Sequence, residues 1–527
     1  MTKNRDPDPQ WPLDGTGTDT KHTTKESPGV GAQVDTPAQG DAKKELLSFR
    51  GLMAANTPSH GIGFKVDRRK NGYVRHRDRG PWIRIDSPKA SALVAAAMCE
   101  GNGSVSRQME VQEAIEKLKM LVLLAAATDD VWLRVAALPT GGVEIFIGDA
   151  DDTRIRVTPG RVEILRGDSS NTQFYVTQAT APFVLPADQG DLQLLDQYLN
   201  LDPIDRALVV GWITYVLVHP KRSGVGFPIL VIGGEHGAGK TVLSYVLQAF
   251  VDPSLLGVQA FPRNERDFAV TTQASSVVFY DNMRDVTADA SDWLCRAATG
   301  GVFAIRKLYS DGDIVALPVH GAIVMNSIHE LLHQPDLAQR CLKITLLPID
   351  PSKRRSETVL RQEFERDRPA IFRGLLELAA KALAHLPTVE VVHPERMYDF
   401  VRWLAALEKA IGAPNAPYQA AYSESLRRCM RGSLEEQPLA GAILDFVDSR
   451  TSSEWSGTPG DLLEELSNYA GRRAMFQRDW PANPSAMSKR LKTLVPALRQ
   501  QGVELRFGRG RERQITIVRT SEGHDHD

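Results

Sequence analysis

The chain has little cysteine: four residues in 527, Cys99, Cys295, Cys341 and Cys429, widely separated and without a Cys-x-x-Cys pair. That scarcity excludes a disulfide framework and argues against structural zinc, so reduced thiols are expected. Long apolar runs are also missing. The longest, residues 208–218 (LVVGWITYVLV), is too short to cross a bilayer and reads as a buried helix. The first residues, MTKNRDPDPQ, lack the apolar stretch of a signal peptide, and a cytoplasmic protein without a membrane partner is expected. Neither sign of charge dominates: 63 Lys and Arg stand against 65 Asp and Glu, a net charge of -2. This excludes a uniformly basic nucleic-acid coat, but a sum cannot exclude a local basic site. No internal repeat or coiled coil is visible.

What is present divides along the chain. Residues 1–60, rich in Gly, Pro, Thr, Asp and Lys at their start, read as a disordered tail. Residues 61–188 carry one clear helical stretch at 106–127 and several short alternating runs split by Gly and Asp, the pattern of an α+β domain with antiparallel strands. Asp149, Asp151 and Asp152 cluster there, but a turn between two strands explains them more simply than a metal-dependent primase site. Residues 189–350 hold short continuous apolar strands separated by helices, which predicts an α/β core with a mostly parallel sheet. Residues 351–434 read as a helical connector. Residues 435–527 read as three helices followed by two strands, the outline of a winged helix-turn-helix.

The chemistry is written at residues 227–250. The apolar run FPILVIG leads into Gly234, Glu235, His236, Gly237, Ala238, Gly239, Lys240 and Thr241, and the helical VLSYVLQAF follows. This is GxxxxGK[ST] in a strand–loop–helix context, a P-loop that binds ATP. Glycines let backbone N–H groups curl round phosphates, and the helix adds its positive end. Lys240 is assigned to the β- and γ-phosphates and Thr241 to Mg²⁺. Downstream, SSVVFYD ends at Asp281, a carboxylate suited to Mg²⁺, with a turn aspartate as the plainer alternative. HGAIVMN ends at Asn326, which is either a group that orients water beside the γ-phosphate or a turn cap. Arg340 follows, either an arginine finger or an interface ion pair.

In order and spacing these residues resemble the superfamily-three helicases of viruses, phages and plasmids, a branch of the AAA+ ATPases, and in particular the prophage and mobile-element ATPases related to poxvirus-type primase–helicases. The resemblance covers about residues 190–350. It implies an AAA+-like P-loop NTPase that assembles as a homo-oligomeric ring, a hexamer in that family. It also implies that Asp281 ends the B motif, Asn326 is the sensor and Arg340 is the finger acting on a neighbour. Between them FAIRKLYSDGDIVAL (303–317) has the pattern of a β-hairpin, which in the family enters the pore and grips single-stranded DNA. Arg306, Lys307 and Tyr309 are its candidate contacts. Two features depart from the family: Asn282 stands where a second, water-activating acid is usual, and the hairpin turn is acidic. Glu235 and Asp285 are candidate replacements for the missing base.

Residues 484–520 hold nine Lys or Arg against two acids. Met487, Leu491, Leu494 and Leu498 mark an apolar helix face, and Pro496 predicts a kink or a stop there. Lys489, Arg490 and Lys492 on the helix, with Arg509, Arg511 and Arg513 in the wing, are candidate contacts to duplex DNA. The expected function is an ATP-dependent DNA helicase or replication ATPase of a prophage or mobile element. The alternatives are an ATP-switched DNA-binding regulator with slow hydrolysis and a non-enzymatic interaction protein with a vestigial P-loop.

Overall fold

The computed structural model describes residues 62–520 except 77–79, 103–106, 127–129, 167–168, 223, 307–313, 351, 353, 436, 478 and 509–513. The expected tail at 1–60 lies outside the described residues. The described residues all belong to one unit, Met53–Asp527.

The chain opens with strands β1 (Ile62–Val66), β2 (Gly72–His76) and β3 (Trp82–Arg84) and helices α1 (Pro88–Asn102) and α2 (Gln108–Leu124). Six strands follow: β4 (Val131–Trp132), β5 (Val135–Ala137), β6 (Val143–Phe146), β7 (Arg154–Thr158), β8 (Arg161–Leu165) and β9 (Gln173–Val176). They form two sheets, β1-β2-β3-β9-β4 and the meander β5-β6-β7-β8. The meander is antiparallel, as alternation predicts. Strand β9 instead runs parallel to both β3 and β4, a long-range pairing that local alternation cannot encode. The acidic cluster sits in the turn between β6 and β7. There Asp149 accepts from the Thr153 amide at 2.8 Å and Asp152 pairs with Arg154.

The centre begins at α3 (Pro203–Val218), β10 (Ile229–Gly233), α4 (Lys240–Val251), α5 (Glu265–Ala274), β11 (Val277–Tyr280) and α6 (Ala288–Thr299). It closes with β12 (Gly301–Arg306), β13 (Ile314–Val319), β14 (Ala322–Asn326), α7 (Pro335–Ala338) and β15 (Cys341–Thr345). The sheet order is β11-β14-β10-β15, and every pair in it is parallel. Its strands are mostly apolar because both faces are covered, with Lys343 and Thr345 of β15 and Asn326 of β14 as exceptions. Leu230, Ile232, Phe279, Val324 and Leu342 face α3, α4 and the meander. Ile229, Val231, Val278, Ile323 and Met325 face α5, α6 and Phe303 of the hairpin.

The long apolar run is indeed a buried helix. Asp202 caps α3 by accepting from the Ile204 and Asp205 amides, and Pro203 takes the first turn, where no amide is needed. Within α3, Trp212 Nε1 donates to Pro228 O at 2.8 Å, so the polar edge of a buried ring fixes the entry to β10. Among the described residues no helix is long and apolar enough to cross a membrane.

Helices α8 (Glu357–His385), α9 (Tyr398–Ile411) and α10 (Pro417–Glu435) follow, and α8 and α9 share the core of the parallel sheet. The last part runs α11 (Pro438–Asp448), β16 (Glu454–Gly457), α12 (Pro459–Met475), α13 (Pro484–Arg499), β17 (Val503–Phe507) and β18 (Ile515–Arg519). Its antiparallel sheet has the order β16-β18-β17. Strand β16 is not expected from the sequence: EWSG is short and polar, and it exists by pairing with β18. Helix α13 also continues three residues past Pro496, to Arg499, with the proline giving up the amide bond it would have made to Lys492.

One buried ion pair joins the first part of the chain to the centre. Arg134 Nε donates to Asp252 Oδ1 at 2.7 Å, with side-chain exposures of 1% and 5%. Arg134 also donates to the carbonyls of Ala181 and Pro253, and Asp252 Oδ2 accepts from the Ser276 and Val277 amides. Arg134→Ala leaves a buried carboxylate without its cation and is expected to cost about 3–5 kcal/mol. Arg161→Ala, in an exposed pair with Glu163, is expected to cost about 0.5 kcal/mol or less. Denaturant midpoints check both; equal shifts would contradict the assignment.

Candidate functional site

Strand β10 ends at Gly233 and α4 begins at Lys240, so residues 234–239 form the connecting loop at the carboxyl edge of the sheet. Gly237 and Gly239 take φ of 77° and 95°, left-handed values that side chains resist. Lys240 bends back over its own loop, donating to Gly234 O at 2.7 Å and Glu235 O at 2.8 Å. Burial lowers its pKa, and the charge of Asp281 acts in the opposite direction. The loop lysine and the Asp281 carboxylate therefore share one electrostatic neighbourhood. Glu235, His236 and Thr241 are exposed, while Ala238 is buried. Asn200 holds the loop from beneath, donating to Ala238 O at 3.4 Å and to Leu347 O.

Asp281 and Asn326 follow the carboxyl ends of β11 and β14. Since β14 lies between β11 and β10, the three strand ends open on one crevice, the usual ligand position of a parallel α/β sheet. Asn326 is 1% exposed and its amide is fully engaged. Its Oδ1 accepts from the Asn282 amide at 2.8 Å and its Nδ2 donates to Ser244 of α4 at 3.1 Å. This side chain joins the turn after Asp281 to the helix that follows the loop. In this geometry it positions the turn relative to α4.

The same turn explains the unusual Asn282. Its φ is 51°, and asparagine tolerates that left-handed conformation far better than glutamate. A second acid at this position would have to carry backbone strain. Sequence reasoning registered the departure but had no signal for the backbone that causes it.

Arg340 lies on the turn before β15. It is 8% exposed and turned inward, donating from Nη1 to Asp336 O at 2.6 Å and pairing with the Asp336 carboxylate at 2.5 Å. Burial raises the Asp336 pKa, but the Arg340 hydrogen bond and the charges of Arg340 and Arg396 outweigh it and hold the carboxyl below its ordinary range. Its Nη1 also lies 3.6 Å from Cys295 Sγ, while its buried Nε has no hydrogen-bond partner among the described residues.

The hairpin of β12 and β13 is present, in antiparallel register from Gly301 opposite Val319 to Arg306 opposite Ile314. Phe303 anchors its base against Phe268 of α5. Arg306 is exposed at the end of β12, and its carbonyl accepts from Arg266. Lys307 and Tyr309 lie outside the described residues.

In the last part of the chain, Met487, Leu491 and Leu498 of α13 are buried, as the helical periodicity predicts. Lys489 and Lys492 are exposed, Lys492 lies 6.0 Å over the Phe507 ring, and Arg490 is 3.5 Å from Asp479. Arg509, Arg511 and Arg513 lie outside the described residues. Among the described residues no group of three or more His, Cys, Asp or Glu is arranged to hold a metal ion on its own. A cation at the loop would therefore draw on Thr241 and Asp281 together with its ligand's oxygens, which is the usual situation of Mg²⁺ bound with a nucleotide.

Residues 195–428 match the family model described as Actinomycete integrative conjugative element replication protein, and residues 439–525 match that of the AICE RepA C-terminal domain. The chain is thus related to the AICE RepA replication proteins. No curated protein matches it. Among solved structures, an A form apo structure of the NrS-1 C terminal region aligns at 12% identity over 90% of this chain and 99% of that chain, with a TM-score of 0.39. A ligand-bound JCV helicase aligns at 12% identity over 40% of this chain and 62% of that chain, with a TM-score of 0.19. These two likenesses are too loose to carry an argument.

Three substitutions test the turn. Asn326→Ala strands the Asn282 amide and the Ser244 hydroxyl, and is expected to cost about 1–3 kcal/mol in unfolding experiments. Asn282→Gly is expected to be near neutral, whereas Asn282→Val should lose about 1–2 kcal/mol from its left-handed backbone. Equal stability of the two Asn282 variants would contradict the backbone explanation.

Proposed function

We propose that this chain is a P-loop ATPase of mobile-element DNA replication that uses ATP to act on DNA as a homo-oligomeric helicase. The observation that carries the reading is the glycine loop between β10 and α4, with Lys240 and Thr241 opening the helix and Asp281 within electrostatic reach of Lys240. The relationship to AICE RepA replication proteins supports the replication context.

In this reading the loop amides and the positive end of α4 receive the phosphates of ATP. Lys240 leaves its own loop carbonyls and turns its ammonium to the phosphate oxygens, a replacement of neutral acceptors by charged ones. The Thr241 hydroxyl and the Asp281 carboxylate hold Mg²⁺, which would neutralise charge on the transferred phosphoryl group. Asn326 keeps Asp281 in register with α4. Glu235, exposed within the loop, is the carboxylate assigned to orient water. Arg306, with Lys307 and Tyr309, contacts a single strand. We read the order α11, β16, α12, α13, β17, β18 as a winged helix in which Lys489, Arg490 and Lys492 of α13, with Arg509, Arg511 and Arg513 from the sequence between β17 and β18, meet duplex phosphates.

A second reading, an ATP-switched DNA-binding regulator with slow hydrolysis, is favoured by one observation. The left-handed turn at Asn282 leaves no acid at the position next to Asp281. Turnover decides between the two.

Lys240→Ala is expected to weaken MgATP binding roughly 10- to 100-fold, the loss of one charged hydrogen-bonding group. Wild-type ATPase measured with and without single-stranded DNA is expected to show stimulation. Saturable ATP binding without stimulated turnover would contradict the motor and leave the switch. For the last module, Lys489→Ala with Lys492→Ala should weaken duplex binding across sequences and reduce the salt slope by about 1 for each phosphate no longer neutralised. An unchanged slope would remove both lysines from the interface.

A further inference from the structure

The segment that leaves β15 lies along the glycine loop. A Cβ on Gly234 would stand 3.1 Å from Leu346 Cβ, one on Gly239 would stand 3.8 Å from Ile349 Cδ1, and one on Gly237 would stand 3.3 Å from Arg354 Nη2. Three loop glycines are thus approached by three side chains of a single segment, and the last of these brings a guanidinium against the exposed crest of the loop. The Leu346 amide also donates to Gly233 O at 3.0 Å, so this segment begins in register with the strand that feeds the loop.

Arg354 differs from the arginines around it. Arg355 is fixed away from the loop, donating to Glu363 at 2.7 Å and to Gln197 O at 3.1 Å. Arg340 is buried against Asp336. Arg354 is exposed and has no hydrogen bond or ion pair within the described residues. The nearest acid before it in the segment, Asp350, is engaged: the Ser352 amide and hydroxyl both donate to its Oδ1, at 2.9 and 2.8 Å. Two cations, Lys240 and Arg354, therefore border one glycine loop, and only Lys240 has acceptors there. Guanidinium groups recognise phosphate through paired N–H donors, and one held beside a loop of backbone amides has anionic oxygens as its natural acceptors.

We infer that Arg354 is a phosphate-binding arginine supplied by the same subunit as the loop, contacting the phosphate tail of the nucleotide at Gly237. This rests on the reading of the loop as a nucleotide site. It assigns part of the cationic role at the phosphates to a residue within the subunit.

The test is MgATP binding by calorimetry on the full chain, with Lys240→Ala run in parallel. Arg354→Ala is expected to weaken MgATP binding about tenfold, Arg354→Lys to recover part of that, and Arg355→Ala to bind as the wild type does. Arg354 is exposed, so circular dichroism and melting should be unchanged. Mixing Arg354→Ala with Lys240→Ala subunits should restore no ATPase beyond the sum of the two. Wild-type affinity in Arg354→Ala, or recovered activity on mixing, overturns the inference. If Lys240→Ala binds MgATP as the wild type does, the loop itself is not the site and both readings fall together.

Discussion

The buried Asp252 carboxylate is the constraint on which the rest of the structure depends. It caps the carboxyl end of α4, accepts the two amides that start β11 and holds Arg134 from the first part of the chain. At the opposite ends of the same two elements the Asn326 amide performs a matching task, tying the turn after β11 to Ser244 of α4. The helix carrying Lys240 and the strand leading to Asp281 are therefore pinned to each other at both ends. A buried polar network of this kind rigidifies when every member is satisfied, and it makes the distance between lysine and carboxylate a property of the core.

The same network gives the first part of the chain a physical route to the site. Arg134 sits beside the meander and reaches three carbonyls as well as Asp252. The meander and the helices α8 and α9 share one apolar core with α3 and α4. Displacement of either layer would be felt at the end of α4, because packed interiors transmit shifts and do not absorb them. The far side of the sheet, where Phe303 anchors the hairpin, belongs to a separate core. The site thus stands between two packed layers, one tied to the first part of the chain and one to the hairpin.

Much of this was legible in the sequence because it is local. The glycine loop, the strand before it, the strand ends at Asp281 and Asn326, the hairpin and the apolar face of α13 are all patterns within a few residues. What was not legible depends on distant partners. The parallel pairing of β9 joins strands far apart in the chain, and β16 exists only through β18. Arg340 reads as a finger or an interface ion pair, and its pairing with Asp336, four residues before it, appears only in the structure. Asn282 reads as a missing acid until its φ is known. Arg354 carries no motif at all; its position over Gly237 follows from the path of the chain after β15.

The central claim is that phosphates bind at the loop between β10 and α4 and that the Asn326 linkage passes their effect to the turn after Asp281. Amide hydrogen exchange on the wild-type chain, with and without a saturating non-hydrolysable MgATP analogue, tests it most directly. The account predicts slowed exchange at residues 234–241, at Asn282 and along 346–354, with little change in the distant sheet of β16, β17 and β18. Unchanged exchange in the loop at saturating nucleotide would contradict it.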